Sequence, residues 1–273
     1  MGKTNSIVSK RREKILEYLR VHEELSNNDL SEKLKISPLT LRRDLQALDD
    51  EGLITRFYGG AKLIDAKDTL NHKRTHNDIN LQLKLNSIAK YAADLVQDGD
   101  TIFMNSSSTV LLMLKYLKNK RVNVVTNNGK ALNENIDSNV ELVLTGGQVY
   151  ERKQSLVGDF ATYILSKITA DKCFLGVSGI SYESGISTSV LQETLVNHEM
   201  IKRCGGPVYI LADSSKVGRH HNFSSGDINE ISDLITDSDI DKNEIENFQS
   251  KNVNVITINY RENSYEKFSN KIT

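Results

Sequence analysis

Ser37-Pro38-Leu39-Thr40-Leu41-Arg42-Arg43-Asp44-Leu45-Gln46-Ala47-Leu48, followed shortly by Gly52-Leu53-Ile54-Thr55-Arg56-Phe57-Tyr58-Gly59-Gly60, is the stretch on which the fold turns. Ser37 is placed to cap a helix whose first residue is Pro38, the position where a missing N–H costs nothing. Leu41, Leu45 and Leu48 recur at i, i+4 and i+7 and therefore face inward. That leaves Thr40, Arg42, Arg43 and Gln46 toward solvent, with the Ser37 hydroxyl at the helix start. Arginine can bond a guanine edge or clamp a phosphate, and hydroxyls and amides near a helix start reach base edges in a major groove. Arg42-Arg43 taken alone equally describes a solvated face. The following segment tips the balance: Gly52 ends the helix, 53–58 alternates like a strand, and Gly59-Gly60 closes it as a wing whose Arg56 is set to meet phosphate or a minor groove.

Upstream, Ile15, Leu16 and Leu19 make residues 9–22 an amphipathic helix. Ser26 or Asn27 caps a short second helix through Leu30 and Leu34, and Lys35-Ile36 turns the chain toward Ser37. Residues 1–60 thus read as a winged helix-turn-helix domain. Residues 1–62 carry a net charge of +2 and the remainder −3, a modestly basic head on an acidic body. Residues 61–80 lose apolar periodicity and read as a polar linker. His72 and His76 lie four apart within it, but no flanking Glu or Cys completes a metal site, so no metal is expected.

The chain of 273 residues and 30.7 kDa has 38% hydrophobic and 26% charged residues, a net charge of −1 and a mean hydropathy of −0.41, the profile of a soluble globular protein. Cys173 and Cys204 stand singly, without the spacing of a zinc site or the density of a disulfide scaffold. A polar, basic N-terminus and the lack of a long apolar run predict a cytoplasmic protein with no membrane partner. Met1 to Ser6 fits the loose N-myristoylation pattern, which short sequences match often by chance.

From 81 to 260 helical and buried-strand patterns alternate: a helix near 85–97, a strand at 101–104, a helix near 109–119, and strands at 122–125, 140–144, 172–177, 208–212, 234–236 and 253–258. Such alternation implies a doubly wound, mostly parallel α/β domain, with residues 261–273 left as a polar tail. Ligands in these folds bind beyond the carboxyl ends of strands. Asn105, Ser106, Ser107, Ser108 and Thr109 occupy the first such junction, where hydroxyls and free N–H groups at a helix start can hold an anion; a plain capping loop is the other reading. Asn127, Gly146, Gly147, Asp213 and Lys216 occupy further junctions, with Lys216 as a positive charge for a phosphate or carboxylate. Turn glycines, a capping aspartate and an exposed lysine are their plainer roles.

The motif from Ser37 to Leu45 and the Gly52 to Ala61 segment resemble the DeoR family of bacterial regulators, whose pattern is Ser-x-x-Thr-aliphatic-Arg-Arg-Asp-Leu, then Gly-x-aliphatic-x-Arg-x-His-Gly-Gly-Ala. The resemblance continues through Asp98 to Phe103, residues 105–109, Val124 to Asn127, Gly146-Gly147, Gly158, Gly185 with Ser187 and Thr188, Leu211 to Asp213 with Ser215-Lys216, and Thr236-Asp237. It implies a sensor domain similar in fold to ribose-5-phosphate isomerase and a homo-oligomeric repressor, dimer or tetramer, of a carbohydrate-utilisation operon. A phosphorylated sugar or sugar-derived metabolite would control its hold on operator DNA, without cofactor or catalysis. Tyr58 stands where the family has histidine, and Asn105 and Ser107 where it has aspartate and glycine. An isomerase-like enzyme with an accessory head, or a metabolite-binding module whose head contacts protein, are the competing readings; the head, which an isomerase does not need, argues against the first.

Overall fold

The structure, a computed structural model, describes residues 2–22, 24–50, 53–57, 59–63 and 76–269, and only the backbone of 2–10, 50 and 76–78. Gly52, Tyr58, His72 and the central part of the expected linker lie outside the described residues, as does the side chain of His76. The chain divides into two units, Met1–Arg74 and Thr75–Thr273.

In the first unit, α1 (Gly2–His22), α2 (Asn27–Leu34) and α3 (Pro38–Asp50) surround a small core with a three-stranded antiparallel sheet. Its strands are β1 (Glu24–Ser26), β2 (Ile54–Phe57) and β3 (Gly60–Leu63), in the order β1-β3-β2. Ile15, Leu19, Leu30, Leu41, Leu45, Leu48, Ile54 and Ala61 are buried together. Ser26, not Asn27, caps α2: its Oγ accepts from the Asp29 N–H at 3.1 Å. Lys35 then turns the chain in a left-handed conformation (φ 54°). The wing runs past the expected boundary at 60, because β3 is its return strand, pairing Arg56 with Ala61 and Phe57 with Gly60.

The second unit is built on an eight-stranded sheet. Its strands are β4 (Thr101–Met104), β5 (Val122–Thr126), β6 (Val140–Leu144), β9 (Lys172–Gly176), β12 (Val208–Leu211), β14 (Asp233–Asp237), β15 (Asn254–Asn259) and β16 (Ser264–Phe268). Their order is β16-β15-β14-β12-β9-β4-β5-β6, parallel except for β16. Alternate strand residues feed two separate cores, as period-2 side-chain geometry requires of a sheet covered on both faces. On one face Ile102, Met104, Phe174, Leu211 and Ile256 meet Ile88, Ala89 and Ala92 of α4 (His76–Asp94) and Val110 of α5 (Ser108–Leu111). On the other, Phe103, Cys173, Leu175, Ile210 and Val255 meet α6 (Asp159–Ser166), α7 (Leu191–Lys202) and α8 (Lys242–Ser250) through Leu165, Met200 and Phe248. The architecture is the expected doubly wound, mostly parallel one.

Several expectations need correction. The helix near 109–119 is a single turn, α5, tightening into a 3₁₀ segment at Leu112–Lys115. Helix α4 starts at His76, inside the expected linker, because its first turns leave Ile79, Leu81 and Leu83 exposed and so show no core-facing periodicity. The tail contains β16, which closes the sheet edge against β15; four of its five residues are exposed, so no apolar pattern marks it. Two small antiparallel sheets lie outside the alternation read from sequence: β7 (Gln148–Tyr150) with β8 (Ser155–Val157), and β10 (Gly179–Ser181), β11 (Gly185–Thr188) and β13 (Phe223–Gly226).

Candidate nucleic-acid interface and effector site

Helix α3 is held by its start and by its inner face. The Ser37 Oγ accepts from the Thr40 N–H at 3.3 Å, and the two hydroxyls lie 2.9 Å apart, so both side chains sit at the first turn as a linked pair. Arg42, Arg43 and Gln46 are exposed along the helix, while Asp44 is buried between Leu41 and Leu48. Asp44 accepts from the Arg11 Nε at 2.5 Å and Nη2 at 3.1 Å, and from the Arg12 Nε at 3.3 Å. This carboxylate ties α3 to α1, and the same pairing holds the Arg11 guanidinium pKa above its ordinary value. Arg56 of β2 donates through Nη1 to the Gln46 Oε1. Wing and helix thus present one polar surface, with Arg42 and Arg43 free of ion pairs among the described residues.

In the larger unit the carboxyl ends of β14, β12, β9, β4, β5 and β6 lie along one side of the sheet, and each anticipated residue follows one of these strands. Asn105, just beyond β4, is buried. Its Nδ2 donates to the Gly176 carbonyl at 2.9 Å and to the Asn197 Oδ1 at 3.1 Å, while its Oδ1 accepts from the Gly176 N–H at 3.0 Å and the Ser107 N–H at 3.3 Å. A carboxamide suits this place because it gives and takes at once. Ser107 caps α5, its Oγ accepting from the Thr109 N–H at 3.2 Å. It packs so close to Gly176 that a Cβ there would fall 1.9 Å from the serine Oγ. Ser108 is exposed and Thr109 buried.

Ser106 donates to the Glu193 Oε1 at 2.9 Å, and Glu193 Oε2 accepts from the Lys153 Nζ at 3.0 Å and the Thr188 Oγ1 at 3.3 Å. This knot joins the β4 loop, the β7–β8 hairpin, β11 and α7. Asn127 holds the same hairpin: its Nδ2 donates to the Leu156 carbonyl at 3.0 Å, and its own carbonyl accepts from the Leu156 N–H at 2.7 Å. The Asn127 Oδ1 is buried with no partner among the described residues. Gly146 and Gly147 lead into β7. At Gly147 φ is +109° and a Cβ would lie 2.5 Å from the Val157 carbonyl oxygen, so no other residue fits without strain.

Beyond β12, Asp213 caps the 3₁₀ turn Ser214–Lys216, accepting from the Ser215 N–H at 3.0 Å. Lys216 is half-buried and forms no ion pair among the described residues. Neighbouring Asp237, fully buried at the end of β14, accepts from the Ser214 N–H at 2.6 Å and Oγ at 2.9 Å. Lys84 of α4 reaches it at 2.7 Å and Asp239 at 2.8 Å. Burial works against the lysine charge, but these carboxylates outweigh it, so the Lys84 pKa is raised. The same contact lowers that of Asp239.

Comparison with known proteins agrees with both halves. A DeoR-like helix-turn-helix domain matches residues 11–67, and a DeoR C terminal sensor domain matches residues 81–238. The chain belongs to the DeoR family. It is 30% identical to an uncharacterized HTH-type transcriptional regulator, YulB, of Bacillus subtilis, over 92% of this chain and 97% of that one. It is 31% identical to a putative aga operon transcriptional repressor of Escherichia coli O157:H7 (92% and 94% covered). It is 32% identical to the lactose phosphotransferase system repressor of Lactococcus lactis (88% and 94% covered). A DeoR-family chain with this head is a transcriptional regulator and not an enzyme, which removes the isomerase alternative.

Four further side chains in these sites, Asp44, Lys84, Glu193 and Asn197, are given no ligand or DNA contact by any sequence motif, yet each carries a helical signal. Asp44 falls three residues after Leu41 and four before Leu48, on their inward face. Lys84 precedes Ile88 by four on α4. Glu193 and Asn197 share the face of Val196 and Met200 on α7. A polar residue in register with a core stripe must find partners when buried, and all of these do. Among the described residues no cluster of His, Cys, Asp and Glu is arranged to hold a metal ion, and no helix is long and apolar enough to cross a membrane.

Proposed function

We propose that this protein represses a carbohydrate-utilisation operon, and that a phosphorylated sugar or sugar-derived metabolite bound at the carboxyl edge of the large sheet lowers its affinity for operator DNA. In this reading Ser37, Thr40, Arg42, Arg43 and Gln46 face the major groove and Arg56 meets backbone phosphate. Residues 105–109, Asn127, Gly146, Gly147, Asp213 and Lys216 surround the effector, which takes its phosphate to the Ser/Thr loop or to Lys216. The observation that carries the proposal is the half-buried Lys216 without an ion-pair partner among the described residues, on the sheet edge that also holds the hydroxyl loop. A half-buried cation with no carboxylate paired to it is a place for an anion. The aga operon and lactose phosphotransferase names of two relatives support a sugar-linked effector.

The protein acts in the cytoplasm as a dimer or tetramer, because helix-turn-helix heads read paired half-sites in two-fold-related copies. Switching needs a coupling free energy of only about 1–3 kcal/mol between effector and DNA. Fluorescence anisotropy with the DNA upstream of the chain's own gene, at fixed salt, tests this against a panel of sugar phosphates. Specific binding that collapses with one phosphate ester is the expected result; no specific binding at any salt refutes it. Lys216→Ala should bind the operator normally and respond weakly to that ester, and a full response would take Lys216 out of the site.

A further inference from the structure

Helices α6 and α7 pack side by side over one face of the sheet, burying Ala161 and Leu165 from α6 and Val196 and Met200 from α7. The outer face of α6 is also apolar, and the first turns of α7 add an apolar strip beside it that gives way to exposed His198. Phe160, Tyr163 and Ile164 recur at i, i+3 and i+4 on α6, and Leu191 and Leu195 at i and i+4 on α7; Phe160 is 76% exposed and Leu195 65%. Val149 of β7 is exposed too, and β7 runs beside α6, since a Cβ on Gly147 would lie 3.3 Å from the Ala161 Cβ. Helix α6, apolar on both its inner and its outer face, is of the kind that is covered on both.

We infer that this α6–α7 face is the surface on which a second copy of the chain docks, through a two-fold interface with the α6 helices antiparallel. Taking about 150–200 Å² for each full large side chain, the six residues present roughly 600 Å² of apolar surface. A specific interface of standard size takes about 800 Å² from each partner, and about 65% of a homodimer interface is apolar, so the patch matches an interface of that standard size. The charges fit a copy of itself: exposed Asp159 opens α6 and exposed Lys167 follows its end. An antiparallel two-fold sets each Asp159 against the Lys167 of the other copy. Lys167 is already positioned over the patch, its ammonium 5.0 Å from the Tyr163 ring centroid. A balanced pair of opposite charges recommends neither nucleic acid nor an anionic membrane.

The face is also joined to the proposed effector site, and this consequence rests on that proposal. Helix α7 shows Leu191 and Leu195 outward while its Glu193 and Asn197 bond Ser106, Lys153, Thr188 and Asn105. A ligand that competes for those bonds moves the helix that forms the interface.

Sedimentation velocity on the full chain, without DNA or effector, tests the interface independently of the sensing proposal. The wild type should sediment as a dimer or larger. Leu195→Glu and Phe160→Glu should each lower the assembly by one two-fold step, weakening association at least about tenfold, with unchanged far-UV circular dichroism. Asp159→Lys should weaken it, and Asp159→Lys combined with Lys167→Asp should restore it. A monomeric wild type, or apolar-face variants that assemble as the wild type does, would overturn the interface; a double swap that fails to restore assembly overturns the antiparallel pairing.

Discussion

Replacing the buried carboxamide of Asn105 by a carboxylate, Asn105→Asp, keeps the side chain's shape, removes its ability to donate and adds a negative charge. The native Nδ2 serves the Gly176 carbonyl at 2.9 Å and the Asn197 Oδ1 at 3.1 Å. Asn197 can turn its amide and donate instead, but the Gly176 carbonyl cannot move without dragging β9, so it is left facing an anion. An unsatisfied buried acceptor costs about 1–3 kcal/mol, and more when charge is involved, so about 3 kcal/mol is expected at neutral pH. The introduced carboxyl escapes by taking a proton, which restores the donor. At 1.36 kcal/mol per pH unit, that cost raises its titration in the folded state by about two units above an unfolded value near 3.9.

The sign follows from linkage. An acid whose folded pKa is raised leaves the variant as stable as its hydrogen bonds allow below the unfolded pKa; the deficit grows as pH rises toward the folded pKa and is complete above it. Calorimetric melts of both full-length proteins across pH measure this. For a unit of this size about 2–4 °C accompanies each kcal/mol, so the sensor transition should fall by about 6–12 °C near pH 7.5 and the gap should narrow toward pH 5. Equal melting temperatures at pH 7.5, or a gap that does not narrow on acidification, would refute the assignment of Asn105 as a donor to Gly176.

In the head, Asp44→Ala removes the anchor of Arg11 and Arg12; both arginines keep partial access to water, so about 1–2 kcal/mol is lost, read as a lower head melting transition with weaker operator binding. Arg43→Ala should cost about 1–3 kcal/mol of discrimination between operator and scrambled DNA if it reads a base; equal weakening on both sequences, measured by anisotropy, assigns it to phosphate. Gly147→Ala meets a left-handed φ and the Val157 carbonyl together, so the sensor unit should lose at least about 2 kcal/mol in a denaturant melt, and an unchanged midpoint would mean the β7 entry relaxes freely.

What could be read from residues alone was whatever repeats along the chain. Leu41, Leu45 and Leu48 specify the inner face of α3, and Ser37-Pro38 its start, because capping and helical spacing act between neighbours. The central strands were legible for a similar reason: strands covered on both faces, such as Ile102-Phe103-Met104, are apolar without interruption. Where covering is one-sided or absent, the signal fails. Strand β16 exposes most of its residues and exists because β15 offers an open edge, a partner that only the folded sheet supplies. The short strands of the β7–β8 hairpin and the β10-β11-β13 sheet likewise depend on distant segments arriving beside them.

The two sites divide the same way. Sequence determined which side chains α3 turns to solvent and which loops follow the parallel strands, since both are consequences of local periodicity. Tertiary structure decided the bonding: that Arg56 grasps Gln46, that Asn105 clamps Gly176, and that Glu193 joins Ser106 to Lys153 across 87 and 40 residues of chain. Those pairings are set by the order of strands in the sheet and by the need of each buried polar group for a partner, and neither is written in the spacing of residues along the chain.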